Sequence, residues 1–220
     1  MKTVIFDLDG TLADTSGDLI AAANACFIEM GHGPLLDEVG DQLTAFHGGA
    51  AMLRLGFSRL GDVDEAQVAA NYSVLTRHYA ENINVKTKLY PGAIEAVEAL
   101  RSNGYAVGIC TNKPAALAES LMQSLGVRDI FGALLGADTL LVRKPDPEHY
   151  LETVRQVGGD PKQSLLIGDT ETDEKTARAA GVPIVLVEFG PEGPGIARLK
   201  PDAMLPEYAS LGTVVQRLIG

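Results

Sequence analysis

The stretch TVIFDLDGTL, residues 3–12, joins a short apolar run to two acidic residues. Its apolar part, VIF, lacks polar and apolar alternation, which is typical of a strand buried on both faces. Asp7 and Asp9 follow directly, and alternation along an extended chain puts their carboxylates on the same side. Two like charges held close together cost stability unless positive charge lies near them. The stretch therefore predicts a buried first strand that ends at a site with a partner for these acids.

Four further apolar runs of strand length follow: AVGICT (106–111), ALLGAD (133–138), SLLIGD (164–169) and PIVLVEF (183–189). Amphipathic stretches lie between the runs, and several begin near a proline and end at a glycine, as helices prefer. Buried strands that alternate with helices are typical of a parallel sheet. We therefore expect an α/β fold with a doubly wound, mainly parallel sheet.

Residues 15–83 break this alternation, because they contain no convincing strand. Apolar residues recur there at spacings of three and four, in one stripe from Ile20 to Met30 and another from Val68 to Ile83. We expect this segment to be a helical insert between the first strand and the rest of the core. A later Gly- and Pro-rich segment, 188–202, is predicted to be a loop.

Composition limits the classes of protein that fit. With 220 residues, 46% of them apolar, the chain is long enough for one large domain that carries a smaller insert. Its net charge of -11 argues against a nucleic-acid binder or a protein of anionic membrane surfaces. Two cysteines give neither a disulfide framework nor a zinc-site pattern. Since there is also no signal peptide pattern and no membrane-length apolar stretch, we expect a cytoplasmic protein.

Polar residues follow the ends of the later predicted strands. Thr111 and Asn112 end the second run, Lys144 comes after the third, and Asp169 ends the fourth, with Asp173 four residues beyond. Ligands of open α/β sheets bind beyond the carboxyl ends of the strands. We therefore expect these side chains to converge with the two acids of the opening stretch.

This mixture of carboxylates, a hydroxyl and an ammonium group suits phosphoryl transfer assisted by a hard cation. Mg²⁺ takes oxygen ligands and usually binds substrate phosphate as well. The cation and Lys144 would offset the acids, and the Thr111 hydroxyl can hold a phosphoryl oxygen. One acid of the opening pair can attack phosphorus while the other moves the proton of the leaving group. The residues thus predict a site for phosphoryl transfer from a phosphate ester.

The chain resembles the haloacid dehalogenase-like hydrolases in the order and spacing of four motifs: DLDGT at 7–11, TN at 111–112, KP at 144–145 and GDTETD at 168–173. The helical insert resembles the cap of that family, which implies a cap domain over 15–83 and a catalytic core over 1–14 and 84–220. Within the superfamily, the segments DLDGTLADT, LYPGAIEAVEAL and KPDPEHYLETV are most similar to the phosphoglycolate phosphatases. The resemblance implies a Mg²⁺-dependent phosphatase, with 2-phosphoglycolate as the best single candidate substrate.

The resemblance also implies a role for each core residue. Asp7 would be the nucleophile that becomes an aspartyl-phosphate. Asp9 would be the general acid and then the general base, and would bind Mg²⁺ through its backbone carbonyl. Thr111 and Asn112 would bind the substrate, and Lys144 would steady both the nucleophile and the transferred oxygens.

The remaining candidates are less uniform. Asp169 would be a Mg²⁺ ligand, whereas Asp173 would either belong to the metal shell or cap the helix that begins beside it. Lys113 is expected to be solvated. In the insert, Arg54 is a candidate contact for a substrate carboxylate, because a Gly-Gly pair precedes a helix whose N-terminus can meet an anion.

Three alternative functions compete with the phosphatase. A phosphosugar mutase similar to β-phosphoglucomutase would pass the phosphoryl group back to a substrate, and release of free phosphate would argue against it. A dehalogenase needs no Mg²⁺, and family dehalogenases lack the second acid, Asp9. A signalling receiver domain also combines a phosphorylated Asp, Mg²⁺, a Thr and a Lys, but its acceptor lies on a middle strand and it has no place for the insert.

Overall fold

The computed structural model describes all 220 residues and divides them into two units. The core unit comprises Met1–Ala13 and Leu89–Gly220, and the helical unit comprises Asp14–Lys88. None of the helices combines the length and the apolar composition needed to cross a membrane. The chain thus leaves the core unit once, after its first strand, and returns to it once.

The strands, in chain order, are β1 (Thr3–Phe6), β2 (Ala13–Asp14), β3 (Lys88–Leu89), β4 (Ala106–Cys110), β5 (Ala133–Leu135), β6 (Ser164–Gly168), β7 (Ile184–Val187) and β8 (Ala203–Leu205). The helices are α1 (Ser16–Glu29), α2 (Gln42–Phe46), α3 (Gly49–Ser58), α4 (Glu65–Glu81), α5 (Ala93–Ser102), α6 (Ala115–Ser124), α7 (Pro147–Gln156), α8 (Glu171–Ala180) and α9 (Leu211–Ile219).

Six strands of the core unit form one sheet in the order β5-β4-β1-β6-β7-β8, and every neighbouring pair is parallel. The order changes direction at β1, which lies between β4 and β6. All four residues of β1 are fully buried, and removal of such apolar surface from water is the main stabilising contribution to a fold of this kind. The prediction of a doubly wound, mainly parallel α/β sheet is confirmed.

Three elements near the C-terminus were not predicted. β8 has only three residues, so it shows no periodicity that would separate it from a loop. The preceding segment, predicted as a loop, contains a short 3-10 helix over Gly193–Leu199. α9 follows β8 and buries Leu211, Val214 and Val215. β8 pairs with β7 and extends the sheet by one strand beyond its expected edge.

The helical unit contains α1 to α4, and the two apolar stripes of the sequence lie mainly on α1 and α4. α1 packs against α4, and the rings of Phe27 and Phe57 meet edge to face with centroids 5.5 Å apart. Phe57 lies on α3, and Gly56 beside it allows α3 to pack closely against Phe27, since a Cβ at Gly56 would overlap the Phe27 ring.

One carboxylate joins the beginning and the end of the helical unit. Asp18, in the first turn of α1, is 3% exposed and accepts hydrogen bonds from the backbone N–H groups of Val85, Lys86 and Thr87 and from the Thr87 hydroxyl. We call this arrangement the Asp18 clasp. Buried carboxylates need such donors, so the clasp fixes the two chain ends of the unit to each other.

Candidate active site

Strand register brings the first acids of the site together. Phe6, the last residue of β1, is in register with Ile109 of β4 and Ile167 of β6. The residues that follow these strands therefore lie at one edge of the sheet, beside the point where the strand order reverses. Asp7 and Asp169 are two of them, as predicted from their positions after strand-like runs. Crevices at such reversal points are the usual ligand sites of open α/β sheets.

The turn after β1 packs closely against Asp169. The Leu8 N–H donates to Asp7 Oδ1 at 2.7 Å, and the Thr11 hydroxyl donates to Asp169 Oδ1 at 2.9 Å. Gly10 has a positive φ of 80°, a conformation that favours glycine. A Cβ at that position would also overlap Asp169 Oδ2. Glycine is therefore required here both by the backbone and by the neighbouring carboxylate.

Lys144 bridges two buried acids. Its Nζ lies 3.0 Å from Asp7 Oδ1 and 2.6 Å from Asp173 Oδ1, and all three side chains are almost completely buried. The backbone of Lys144 is held as well. Asn112 Nδ2 donates to its carbonyl at 2.9 Å, and its N–H donates to His149 Nδ1 at 3.3 Å. The structure therefore places Asn112 against the segment that carries Lys144.

His149 had no role in the sequence analysis, although it is fully buried behind Lys144. Its Nε2 lies 3.0 Å from the Gly136 carbonyl, which only accepts, so Nε2 carries the proton and Nδ1 accepts. Burial and the positive charge of Lys144 lower the pKa of His149 to about 4. A neutral imidazole thus ties the Lys144 segment to the loop after β5.

The acids of the site resist ionisation when no cation is bound. Burial raises the pKa of Asp7 to about 6, against the attraction of Lys144, and the charges of Asp173 and Asp9 add to the increase. Burial also raises the pKa of Asp169 well above its ordinary value, reinforced by the charges of Asp173 and Asp7. Lys144 stays charged, because Asp173 and Asp7 outweigh the effect of burial and raise its pKa.

These groups fit a hard divalent cation. Asp169 Oδ2 is buried and has no hydrogen-bond partner, and such an oxygen is costly unless a cation or donor reaches it. Carboxylate oxygens of Asp7, Asp169 and Asp173 all lie within 4.8 Å of one another. Only Lys144 offsets this trio of acids. The oxygen-only donor set and the surplus negative charge are what Mg²⁺ prefers.

Asp173 uses both carboxylate oxygens within the protein. Oδ1 accepts from Lys144, while Oδ2 accepts from the Thr170 hydroxyl at 2.6 Å and the Thr170 N–H at 3.1 Å. Thr170 and Asp173 form a capping box at the beginning of α8. Asp173 thus caps a helix and orients Lys144, and direct contact with a metal stays a prediction.

The expectation that Lys113 is solvated is wrong. The residue is 6% exposed, and its Nζ lies 2.8 Å from Asp9 Oδ1 and 3.1 Å from Asp9 Oδ2. Its backbone N–H donates to the Thr111 hydroxyl oxygen at 3.2 Å, and Thr111 is also buried. Lys113 is the third residue after β4, and its side chain reaches Asp9. The surplus of acids at the strand ends was the signal that a second cation was needed.

Arg54 lies in the helical unit, on α3. Its guanidinium makes two contacts with the Glu65 carboxylate, at 2.6 Å and 2.7 Å, and both side chains are about half exposed. The pair is an ordinary surface ion pair. Contact of Arg54 with a substrate stays a prediction.

Known proteins are similar to this chain over nearly its whole length. Residues 4–187 match the family model described as haloacid dehalogenase-like hydrolase. The chain is 38% identical to a phosphoglycolate phosphatase of Mesorhizobium japonicum, over 98% of this chain and 96% of that protein. It is 36% identical to a phosphoglycolate phosphatase of Agrobacterium fabrum, over 94% and 89%. A crystal structure described as a predicted phosphoglycolate phosphatase from Haemophilus somnus superposes with a TM-score of 0.86, at 26% identity and 98% coverage of both chains.

Proposed function

Because this chain belongs to the haloacid dehalogenase-like hydrolase family, we propose that it is a Mg²⁺-dependent phosphatase of small phosphorylated metabolites. The best single candidate for the substrate is 2-phosphoglycolate, since relatives with that activity in their names align over nearly the whole chain. The observation that carries the proposal is the buried contact between Lys144 and Asp7 beside the unsatisfied oxygen of Asp169. These three residues would place a nucleophile, a fixed positive charge and a cation ligand at one edge of the sheet.

The first chemical step forms an aspartyl-phosphate. Asp7 Oδ1 already accepts from the Leu8 N–H and from Lys144, so we assign the attack on phosphorus to Oδ2. The bond between Oδ2 and phosphorus forms while the bond between phosphorus and the leaving alkoxide breaks. Asp9 donates a proton to that alkoxide, which departs as an alcohol.

The second step restores the enzyme. Asp9, now a carboxylate, takes a proton from a water molecule that attacks phosphorus, and the bond between Asp7 and phosphorus breaks. The Thr111 hydroxyl would hold a phosphoryl oxygen in both steps, and Lys144 would offset its charge. Such preorganised positive groups supply much of the stabilisation of a transition state.

Asp7, Asp169 and the backbone carbonyl of Asp9 would hold the metal ion. Bound Mg²⁺ would supply positive charge to the phosphoryl oxygens. Asp173 would support this set from outside, through Lys144 and through the cap of α8. Burial and the charges of neighbouring acids raise the pKa of Asp7 and of Asp169, and the positive charge of the same ion would favour their ionised forms.

The function is tested by a phosphate-release screen over small phosphometabolites, with Mg²⁺ and with EDTA. We expect release of free phosphate that depends on Mg²⁺, with 2-phosphoglycolate among the best substrates. Adding phosphosugars as acceptors separates the mutase alternative. Transfer of the phosphoryl group to a phosphosugar in place of release to water would contradict the phosphatase.

Asp169→Asn tests the metal site. The amide can still accept from Thr11 but removes the charge of the unsatisfied oxygen. We expect the Mg²⁺ concentration for half-maximal activity to rise about tenfold or more. Loss of a charged ligand should weaken the free energy of Mg²⁺ binding by at least as much as loss of one hydrogen bond to a charged group. We also expect the rise in melting temperature on addition of Mg²⁺ to disappear.

Glu171→Gln is the matched control for Asp169→Asn. Glu171 lies on the exposed first turn of α8, where it pairs with Lys175. This control should keep the wild-type response to Mg²⁺ in both measurements. A wild-type Mg²⁺ curve for Asp169→Asn would remove Asp169 from the metal site.

A further inference from the structure

We propose that Lys113 is a positioning residue that holds the Asp9 carboxylate in line with the leaving group. The inference rests on the proposed function, because it gives Asp9 its task. Lys113 Nζ lies within 3.1 Å of both carboxylate oxygens of Asp9. The side chains are only 4% and 17% exposed, respectively, so water screens the pair little.

The backbone of Lys113 is fixed on two sides. Its N–H donates to the Thr111 hydroxyl oxygen, and its carbonyl accepts from the Ala137 N–H at 3.0 Å. Gly136 lies against that carbonyl so closely that a Cβ there would stand 2.7 Å from the oxygen. Lys113 is therefore anchored both to the end of β4 and to the loop after β5, and its ammonium group has a defined position.

Asp9 itself lies in the turn that follows β1. The turn is closed by the Gly10 N–H, which donates to the Ala13 carbonyl at 2.9 Å and so holds the backbone beside Asp9. The ammonium of Lys113 contacts both oxygens, so it restricts rotation about both side-chain torsions. Because a proton moves between heavy atoms about 2.6–3.2 Å apart, a carboxylate that turns away cannot protonate the leaving group.

Lys144 cannot take over this task. Its ammonium is already shared between Asp7 and Asp173, at 3.0 Å and 2.6 Å. The two lysines thus divide the work of the site. Lys144 serves the nucleophile, and Lys113 serves the residue that moves the proton.

The test compares two leaving groups in the Mg²⁺-loaded enzyme. An alkyl phosphate such as 2-phosphoglycolate needs a proton on its leaving oxygen, whereas p-nitrophenol departs from p-nitrophenyl phosphate as a stable anion. For Lys113→Met we expect kcat/KM to fall about 100-fold or more with the alkyl phosphate, the contribution of a placed general acid. With p-nitrophenyl phosphate we expect a fall of less than about fivefold. Its leaving group needs no proton, and kcat/KM reports only the steps up to formation of the aspartyl-phosphate, so the later task of Asp9 as a base does not affect it.

The outcomes separate the possible roles of Lys113. An equal fall with both substrates would mean a merely structural role, and a rise in KM alone with both would mean a substrate-binding cation; either result would overturn the proposal. Lys113→Gln, which keeps a donor, should give a smaller loss with the alkyl phosphate, and it serves the same comparison if the methionine variant does not fold. Lys175→Met, at an exposed lysine, is the control and should match wild type.

Failure of the proposed function looks different. In that case the wild-type enzyme releases phosphate from neither substrate, and the inference about Lys113 falls with it. Where wild type hydrolyses both substrates and Lys113→Met keeps the wild-type ratio of their kcat/KM values, only the role of Lys113 is wrong.

Discussion

Asp7→Asn is expected to abolish phosphate release, with kcat/KM reduced by at least about 10⁴-fold, as when other enzymes lose their nucleophile. The amide oxygen has the shape of the carboxylate and can still accept from Leu8 and Lys144, so the contacts around the site remain. What is lost is an oxygen that can attack phosphorus. The rate is measured by phosphate release at saturating Mg²⁺.

Asp129→Asn is the control for this variant, because Asp129 is an exposed acid of the same unit. It should retain the wild-type rate. Phosphate release by Asp7→Asn at a rate close to wild type would mean that Asp7 is not the nucleophile.

The same substitution is expected to stabilise the metal-free protein above pH 6. The pKa of Asp7 is raised from 3.8 to about 6 in the folded protein, so the folded state binds this proton more tightly than the unfolded chain. The resulting stability is complete below about pH 4 and is lost as the pH rises to about 6. The Asp7→Asn variant avoids that loss, which at 1.36 kcal/mol per unit is worth up to about 3 kcal/mol.

Urea unfolding in EDTA checks this effect at about pH 7.5 and about pH 4.5. Asp7→Asn should be more stable than wild type at the higher pH and close to it at the lower one. The difference between the two proteins is compared at each pH, because His149, with its lowered pKa, gives both of them the opposite trend in acid. A difference that does not change with pH would contradict the raised pKa of Asp7.

Lys144→Met is expected to be the most destabilising single change in the site. It leaves Asp7 and Asp173 buried without their shared positive charge. Removal of one partner from a buried ion pair costs about 3–5 kcal/mol, because the remaining charge is uncompensated. The measurement is the free energy of unfolding in urea at about pH 7.5, with EDTA present.

Lys175→Met again provides the matched control, since its ion pair with Glu171 is more than half exposed. Exposed pairs contribute little, so we expect a loss within about 1 kcal/mol. If the two lysine variants unfold at the same urea concentration, the charge on Lys144 does not stabilise the site.

Five of the six strands of the sheet, and the meeting of Asp7 with Asp169 at its edge, could be predicted from the sequence for a physical reason. Strands buried on both faces must be apolar throughout, as VIF in β1 is, and parallel strands put their last residues at one edge. These two rules predict that Asp7, Thr111 and Asp169 lie at the same edge of the sheet. The order of the family motifs then adds the expected role of each residue.

The parts that were missed depend on contacts between distant residues. Lys113 and Asp9 are 104 positions apart, so no local pattern reports that the lysine is buried. His149 has no ligand spacing either, because its partners are a backbone N–H and a backbone carbonyl. β8 was missed for another reason, since three residues are too few to show a periodicity. Side-chain pairing across the chain had to come from the structure.

The Asp18 clasp has a consequence for how the helical unit can be exchanged. Four hydrogen bonds to one carboxylate keep the two junctions of this unit side by side. Closing so long a loop has an entropic cost, and these contacts within the unit offset it. The insertion therefore leaves the core unit and returns to it at two neighbouring points. A foreign module whose own termini meet at the same spacing could therefore be grafted there.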